Sequence, residues 1–151
     1  MEWLKKLYGT TVGLDTAPLI YFIEKHTKYL SLVLPFFEAM EHGDIQVITS
    51  TLTLTEVLVH PLRHGDRALA RKYSRILRHA RNLTMFPVSP EIAEEAARIR
   101  AAHGLKTPDS IQLAAACFGN ASAFLTNDGD LLSIPGLRLV VLDDLLASAQ
   151  P

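Results

Sequence analysis

Residues 12–20 read VGLDTAPLI, so an apolar run of three residues is followed at once by Asp15 and a helical pattern of apolar residues. Asp15 or Thr16 is suited to begin that helix, because a side-chain oxygen at the cap accepts a hydrogen bond from a free backbone N–H. Pro18 fits the first helical turn, where its missing N–H leaves no hydrogen bond unmade. The segment therefore predicts a buried strand that passes directly into a helix, with a carboxylate at the junction.

The alternation of short apolar runs and longer helical patterns continues along the chain. It predicts an α/β fold with a central, mainly parallel sheet of about five strands. A chain of 151 residues suits one domain, so we expect residues 1–151 to form it, with residues 1–11 as an N-terminal extension before the first strand. Ser50 or Thr51 is expected to cap a helix that Pro61 ends near His60, and Thr107 to cap another. Gly43 and Gly104 are expected to end the helices that precede them. Further strands are predicted at 45–48, 83–88, 123–126 and 137–142, helices at 28–42, 50–60, from the basic segment to 82, 90–103, 107–119 and from 143, and a short helical turn at 128–132.

Four acidic residues stand where this fold would bring them together. Asp15 and Asp128 each follow an apolar strand, and ligands of open α/β sheets bind outside the carboxyl ends of the strands. Asp109 opens a predicted helix, where the backbone N–H groups and the helix dipole are expected to hold its pKa low. Glu56 lies in a largely apolar helix, and a carboxylate is costly to bury there unless it is paired or metal-bound.

Each acid also has a purely structural interpretation. Asp15 is explained as a helix cap and Asp109 as a complement to the helix dipole. Asp128 is explained as a turn former, and Glu56 as a side chain that faces solvent. The coincidence of all four in one α/β chain favours a shared site.

The formal net charge of −1 conceals a strongly basic segment. Residues 63–81 contain seven Lys or Arg and one Asp, a charge of +6, so the rest of the chain carries −7. Arginines four residues apart on a helix repel by roughly 0.2–0.5 kcal/mol per pair, which favours a functional reason for their alignment. Contact with the phosphates of a nucleic acid is one such reason, and a solvated helix face is the alternative. The arginines that one helix face would align are Arg67, Arg71, Arg75 and Arg78.

Composition and motifs disfavour several other classes of protein. A lone cysteine, Cys117, forms neither an internal disulfide nor a cysteine-based zinc site, and this favours a reducing compartment. No run approaches the ~18 consecutive apolar residues of a membrane span, so we expect no membrane partner. The absence of a G-x-G-x-x-G motif and of a P-loop argues against a nucleotide-binding Rossmann domain. The single acid in Gly13-Leu14-Asp15 argues against a receiver domain, which needs paired acids there.

Together, the acidic motifs resemble those of PIN-domain ribonucleases of the VapC type, the toxin half of bacterial and archaeal toxin–antitoxin pairs. The resemblance implies a Rossmann-like, three-layer PIN fold. It implies that Asp15, Glu56, Asp109 and Asp128 converge on one or two divalent cations, with the hydroxyls of Thr16 and Thr126 nearby and Asp130 as a possible further acid. It does not distinguish a toxin from an RNA-processing enzyme or a solitary PIN protein. The matching segments are LDTAPLI (14–20), TLTEV (53–57), GLKTPDSIQLA (104–114) and FLTND (124–128).

A cluster of carboxylates needs a counter-charge, and Mg²⁺ or Mn²⁺ is the hard cation that carboxylate oxygens prefer. We therefore expect a metal-dependent endoribonuclease that hydrolyses RNA phosphodiester bonds with a metal-activated water. The resemblance also implies a cognate antitoxin and a second copy of the chain as partners. The expected location is the cytoplasm. The alternative is a PIN-like module that binds RNA or a protein with little or no catalysis.

Overall fold

The computed structural model describes residues 1–131 and 134–149, within which five strands form one parallel sheet. The sheet order is β3-β2-β1-β4-β5, and every neighbouring pair is parallel. With helices flanking the sheet, this confirms the predicted α/β architecture. The strands are β1 Thr11–Leu14, β2 Gln46–Ser50, β3 Leu83–Phe86, β4 Ala123–Thr126 and β5 Arg138–Val141.

The strand order places β1 at the centre and creates a crevice beside it. The chain adds β2 and β3 on one side of β1, then crosses over to add β4 and β5 on the other side. A reversal of this kind separates the loops that leave the carboxyl ends of the two strands at the switch point, and ligands bind there. Residues that follow β1 and β4 therefore lie at the rim of that crevice.

Alternation along β1 builds two cores, one on each face of the sheet. Val12 and Leu14 are fully buried in one apolar cluster, and Phe124 of β4 belongs to the other. Gly13 permits a helix to approach the strand closely. A Cβ at this position would lie 2.6 Å from the Cβ of Ala116 and 2.7 Å from Cδ1 of Phe124.

The helices confirm most of the predicted start and stop signals. Asp15 caps one helix and Ser50 another, each accepting a backbone N–H with its side chain. Gly43 and Gly104 end helices at φ of 87° and 69°, the left-handed conformation that glycine adopts without strain. The helices are α1 Glu2–Lys5, α2 Thr16–Ile23, α3 Leu30–His42, α4 Thr51–Arg63, α5 Arg67–His79, α6 Pro90–His103, α7 Thr107–Phe118 and α8 Leu142–Ala149.

Two local predictions are wrong. Pro61 does not end its helix, because α4 continues to Arg63 with Pro61 buried in its last turns, where packing offsets one lost hydrogen bond. Lys106, and not Thr107, is the cap residue of α7, so Pro108 occupies the second helical position. Residues 128–131 form one hydrogen-bonded turn, in which the backbone N–H of Leu131 donates to the carbonyl of Asp128 at 3.3 Å, and Leu132 lies outside the described residues.

The segment before β1 packs onto the main core. Leu4 in α1 and Leu7 just after it are 5% and 1% exposed, whereas Tyr8 is 46% exposed. Phe37 of α3 is buried within the same core. No helix among residues 1–131 and 134–149 is long and apolar enough to cross a membrane.

Candidate active site

Asp15 lies at the carboxyl end of the central strand and caps α2. Its Oδ1 accepts a 2.8 Å hydrogen bond from the backbone N–H of Thr16, and its Oδ2 accepts one of 2.7 Å from the hydroxyl of Thr126. Burial raises the pKa of Asp15 above its usual value, although both hydrogen bonds act to lower it. The capping interpretation is therefore correct but incomplete, since Asp15 also bonds to Thr126 of β4 and stays largely buried at the end of the sheet.

Thr126 couples Asp15 to Asp128. The Thr126 side chain is fully buried, and its hydroxyl oxygen accepts the backbone N–H of Asp128 at 3.0 Å. Asp128 Oδ1 in turn accepts the backbone N–H of Asp130 at 2.9 Å, so Asp128 forms the turn that its neighbours suggested. Its negative charge adds to burial in raising the pKa of Asp15, and the shared bonds to Thr126 hold the two residues at neighbouring strand ends. Asp130 is exposed and contributes to the turn through its backbone.

Glu56 reaches the same region from α4. Its side chain is exposed, as the solvent-facing interpretation predicts, yet it is held in place. The hydroxyl of Thr16 donates a 2.8 Å hydrogen bond to Glu56 Oε1. Thr16, the residue next to Asp15, is thus bonded to an acid 40 positions later in the chain.

Asp109 in the first turn of α7 completes the group. Its pKa is raised, first by burial and then by the negative charges of Asp15, Asp128 and Glu56, while Lys106 acts in the opposite direction. The expectation that the helix N-terminus would hold this pKa low is wrong, because desolvation and three neighbouring acids outweigh the helix dipole.

The four acids gather at the carboxyl edge of the sheet as a loose group. Among the described residues, no three His, Cys, Asp or Glu side chains stand close enough together to form a ready-made metal cage. Mg²⁺ does not need one, since it is typically held by one or two carboxylates together with waters and substrate phosphate oxygens. The donor set is all oxygen, and the negative charges of Asp15, Asp128 and Glu56 add to burial in raising the pKa of Asp109, so a hard divalent cation fits this site.

Comparison with known proteins assigns the family. The family model of the PIN domain matches residues 12–137, a span that contains all four acids. The chain belongs to the PIN-domain family. No curated protein sequence matches this PIN domain at a significant level.

Several solved structures share the fold of this PIN domain at low sequence identity. VapBC2 from Rickettsia felis, bound to a DNA fragment from their promoter, aligns with a TM-score of 0.68 and 18% identity over 87% of this chain and 98% of its own. VapC20 from Mycobacterium tuberculosis, a sarcin-ricin loop cleaving toxin, aligns with a TM-score of 0.65 and 16% identity over 80% of this chain and 92% of its own. A toxin–antitoxin complex from Klebsiella pneumoniae aligns with a TM-score of 0.63 and 23% identity over 85% of this chain and 95% of the matched chain. At these identities the likeness establishes the fold alone.

Sequence reasoning missed a buried polar network beneath the acids of this PIN domain. Gln112 of α7 is 4% exposed, and its amide hydrogen-bonds to side chains from three other segments. The available signal was a glutamine at a core position, among the apolar and alanine residues of α7. A buried amide is costly unless it is fully bonded, so it calls for partners even before a structure is known.

The arginine stripe lies on the outer face of α5. Tyr73 and Leu77 are buried on the inner face, and the Tyr73 hydroxyl bonds to Glu24 at the end of α2. The four arginines are exposed, and none forms an ion pair with a carboxylate elsewhere in residues 1–131 or 134–149. The structure shows no direct bond between the stripe and the four acids. The stripe consists of Arg67, Arg71, Arg75 and Arg78.

Proposed function

We propose that this protein is an endoribonuclease that depends on Mg²⁺ or Mn²⁺ and hydrolyses RNA phosphodiester bonds at the carboxyl edge of the sheet. One observation carries the proposal: in a PIN domain, acids from four separate segments lie at that edge, and burial together with the negative charges of three of them raises the pKa of the fourth, Asp109. Groups that repel one another this way are kept together at a cost in stability, and a site for a divalent cation and a phosphate explains that cost.

The residues divide the work by position. Asp15, Asp109 and Asp128 are the acids that would hold the cation, since their charges act on one another across the crevice. Glu56, held by Thr16 at the exposed edge of the group, is placed to ligate as well or to orient the attacking water. When bound, the cation lowers the pKa of a water and stabilises charge on the phosphate and the leaving oxygen. Thr126 keeps Asp15 and Asp128 in register by bonding to both.

The exposed arginine stripe supplies positive charge for the substrate. Phosphate contacts from arginines give affinity without sequence readout, and an acidic site needs such contacts to hold a polyanion. The same face is available to a protein partner. A non-catalytic module that uses the stripe to bind RNA or a protein is therefore the second candidate function, and the unpaired arginines are the observation that favours it.

The narrower proposal is that the chain is the toxin of a toxin–antitoxin pair, acting in the cytoplasm with a cognate antitoxin and as a homodimer. Its support is the fold shared with VapC20, a sarcin-ricin loop cleaving toxin, and with toxin–antitoxin complexes from other bacteria. Induced expression should arrest growth, and Asp109→Asn should relieve the arrest. Growth arrest that persists with Asp109→Asn would argue against a toxin that acts by cleavage.

A nuclease assay decides between the two functions. The purified protein should cut RNA with Mg²⁺ or Mn²⁺ and stop cutting in EDTA. Asp15→Asn and Asp109→Asn should each lose cleavage while circular dichroism shows an intact fold. Asp44→Asn, which neutralises an exposed acid before β2 at the opposite edge of the sheet, should cut normally. Undiminished cleavage without metal, or in Asp109→Asn, would refute the mechanism, and RNA binding without cleavage would favour the module.

A further inference from the structure

The amide of Gln112 joins three elements beneath the acidic site. Its Oε1 accepts a 2.9 Å hydrogen bond from Ser50, the cap residue of α4. Its Nε2 donates at 2.6 Å to Thr53 within α4 and at 3.4 Å to Thr16 at the start of α2. Thr16 is the residue whose hydroxyl holds Glu56. A single side chain of α7 therefore reaches the residue that holds a proposed active-site acid.

The number of donors and acceptors on each side chain fixes the direction of the hydrogen bonds in this network. The hydroxyl of Thr16 donates to Glu56, and a hydroxyl has only one proton to give. Thr16 must then act as an acceptor toward Gln112, and the nitrogen of the amide has to face it. Flipping the amide would set Oε1 against an oxygen that has no proton left to give, and would leave the hydroxyl of Ser50 without this acceptor.

Thr53 strengthens the same direction. Its hydroxyl oxygen accepts from Thr49 at 2.8 Å and from Gln112 at 2.6 Å, which uses both lone pairs. Its own proton is left for Thr16, whose oxygen lies 3.4 Å away. Gln112 and Thr53 are therefore both donors to the Thr16 oxygen, and the donation from Thr53 depends on the amide of Gln112 as well. The Thr16 proton has one way to point, toward Glu56.

Packing alone does not call for a glutamine here. The neighbouring positions Leu113 and Ala114 are fully buried apolar residues, and replacing both partners of a buried hydrogen bond with apolar groups is often nearly neutral for stability. A buried amide that is satisfied by three hydroxyls instead gives its surroundings one defined arrangement. That arrangement ends at Glu56.

We infer that Gln112 is a positioning residue of the nuclease site: it orients the Thr16 hydroxyl as a donor and thereby holds the Glu56 carboxylate in its working position. This inference rests on the function proposed above and extends it to a residue that touches neither substrate nor metal. Its effect belongs in kcat, since the acids that hold the cation do not bond to Gln112.

Kinetics of a double-mutant cycle test the inference. Gln112→Met keeps the length of the side chain without its polar atoms, and it should lower kcat for RNA cleavage roughly 10- to 100-fold with little change in KM, the range typical of residues that orient an active-site group. Thr16→Val should cause a similar loss, and Thr16→Ser should restore most of the rate. Combining Gln112→Met with Thr16→Val should cost no more than about twofold beyond Thr16→Val alone, because both act on one carboxylate.

Ser110→Ala is the matched control. Ser110 lies in the same helix and is equally buried, but its hydroxyl bonds only to the backbone carbonyl of Lys106. Ser110→Ala should lose stability without the loss in kcat. Equal losses in kcat for Ser110→Ala and Gln112→Met, or losses that multiply in the Gln112–Thr16 cycle, would show a general structural effect and overturn the inference.

Crystal structures give a readout that does not depend on activity. In Gln112→Met the Glu56 carboxylate should leave Thr16, whereas in Ser110→Ala it should stay. A Glu56 that remains bonded to Thr16 in Gln112→Met overturns the inference. If the wild-type protein cuts no RNA, the proposed function fails, and these two structures still decide whether Gln112 positions Glu56.

Discussion

The hydroxyl of Thr126 donates a 2.7 Å hydrogen bond to Asp15, which ties the end of β4 to the end of β1. The same oxygen accepts the backbone N–H of Asp128. Thr126→Val should therefore displace two acids at once and reduce cleavage roughly 10- to 100-fold at saturating Mg²⁺. Thr126→Ser keeps the hydroxyl and should retain most of the activity. A Thr126→Val protein that folds and cuts at the wild-type rate would contradict this role.

The metal-free protein should lose stability as the pH rises. Folding raises the pKa of Asp15 and of Asp109, so the folded state binds more protons than the unfolded chain between the usual value of 3.8 and the raised values. The free energy of unfolding therefore falls through that window and stays low above it. Asp109→Asn carries no charge to repel and should unfold at a higher temperature than the wild type at pH 7 in EDTA.

This gain should be less than about 1 kcal/mol, because Asp109 is only partly buried and solvent screens its charge. It should vanish toward pH 3, where the carboxyl of the wild type is protonated in both states. Thermal unfolding followed by circular dichroism across pH measures it, with Asp44→Asn as the exposed control. A lower Tm for Asp109→Asn at pH 7 would count against repulsion among the acids.

Divalent cations should reverse this effect. A ligand that binds only the folded state stabilises it by about 2.7 kcal/mol at a hundred times its Kd. Millimolar Mg²⁺ or Mn²⁺ should thus raise the Tm of the wild type, and raise that of Asp109→Asn much less. Ca²⁺-free buffers and a matched ionic strength of NaCl separate site binding from general screening. An equal shift in both proteins would place the cation elsewhere.

The arginine stripe should set the salt dependence of RNA binding. In an Asp109→Asn background that cannot cut, replacing Arg71 and Arg75 with Gln should weaken binding and flatten the slope of log K against log salt by about 0.7 for each lost phosphate contact. Replacing Arg98 and Arg138, which are exposed on α6 and β5, is the matched control. Identical slopes for the two double variants would reduce the stripe to a solvated surface.

Gly13 should tolerate no side chain. The added Cβ of Gly13→Ala would stand 2.6 Å from that of Ala116, and neither a strand nor a helix backbone moves aside easily. We expect a loss of about 1–3 kcal/mol in the free energy of unfolding, measured in urea. Gly129→Ala, where no heavy atom lies within 4 Å of the added Cβ, should cost far less.

Local patterns carried the fold. A few neighbouring residues are enough to predict the strand that ends just before Asp15, the cap at Ser50 and the glycine stops at Gly43 and Gly104. The structure confirms each of them. The prediction that Pro61 ends α4 is wrong because the effect of this proline depends on how a buried helix end packs, and no local pattern shows that packing.

The electrostatics of the site depend on residues that are distant in sequence. The first turn of α7 is visible in the sequence and argues for a low pKa at Asp109, whereas the three acids that raise it come from other segments. The partners of Gln112 are hidden for the same reason: Ser50 precedes it by 62 positions, and Thr16 precedes it by 96. The sequence shows the residue types, but it does not show the distances between their side chains.

The pairing of β1 with β4 also determines when the site comes into existence. Asp15 is translated before its Thr126 partner, which follows 111 positions later, and Asp128 comes later still. A nascent chain that has emerged only as far as α6 carries Asp15 and Glu56 without the strand that completes the crevice. The proposed nuclease site therefore cannot form until β4 has been synthesised, and a protease that cuts between β1 and β4 and lets the pieces separate would take the site apart without touching an acid.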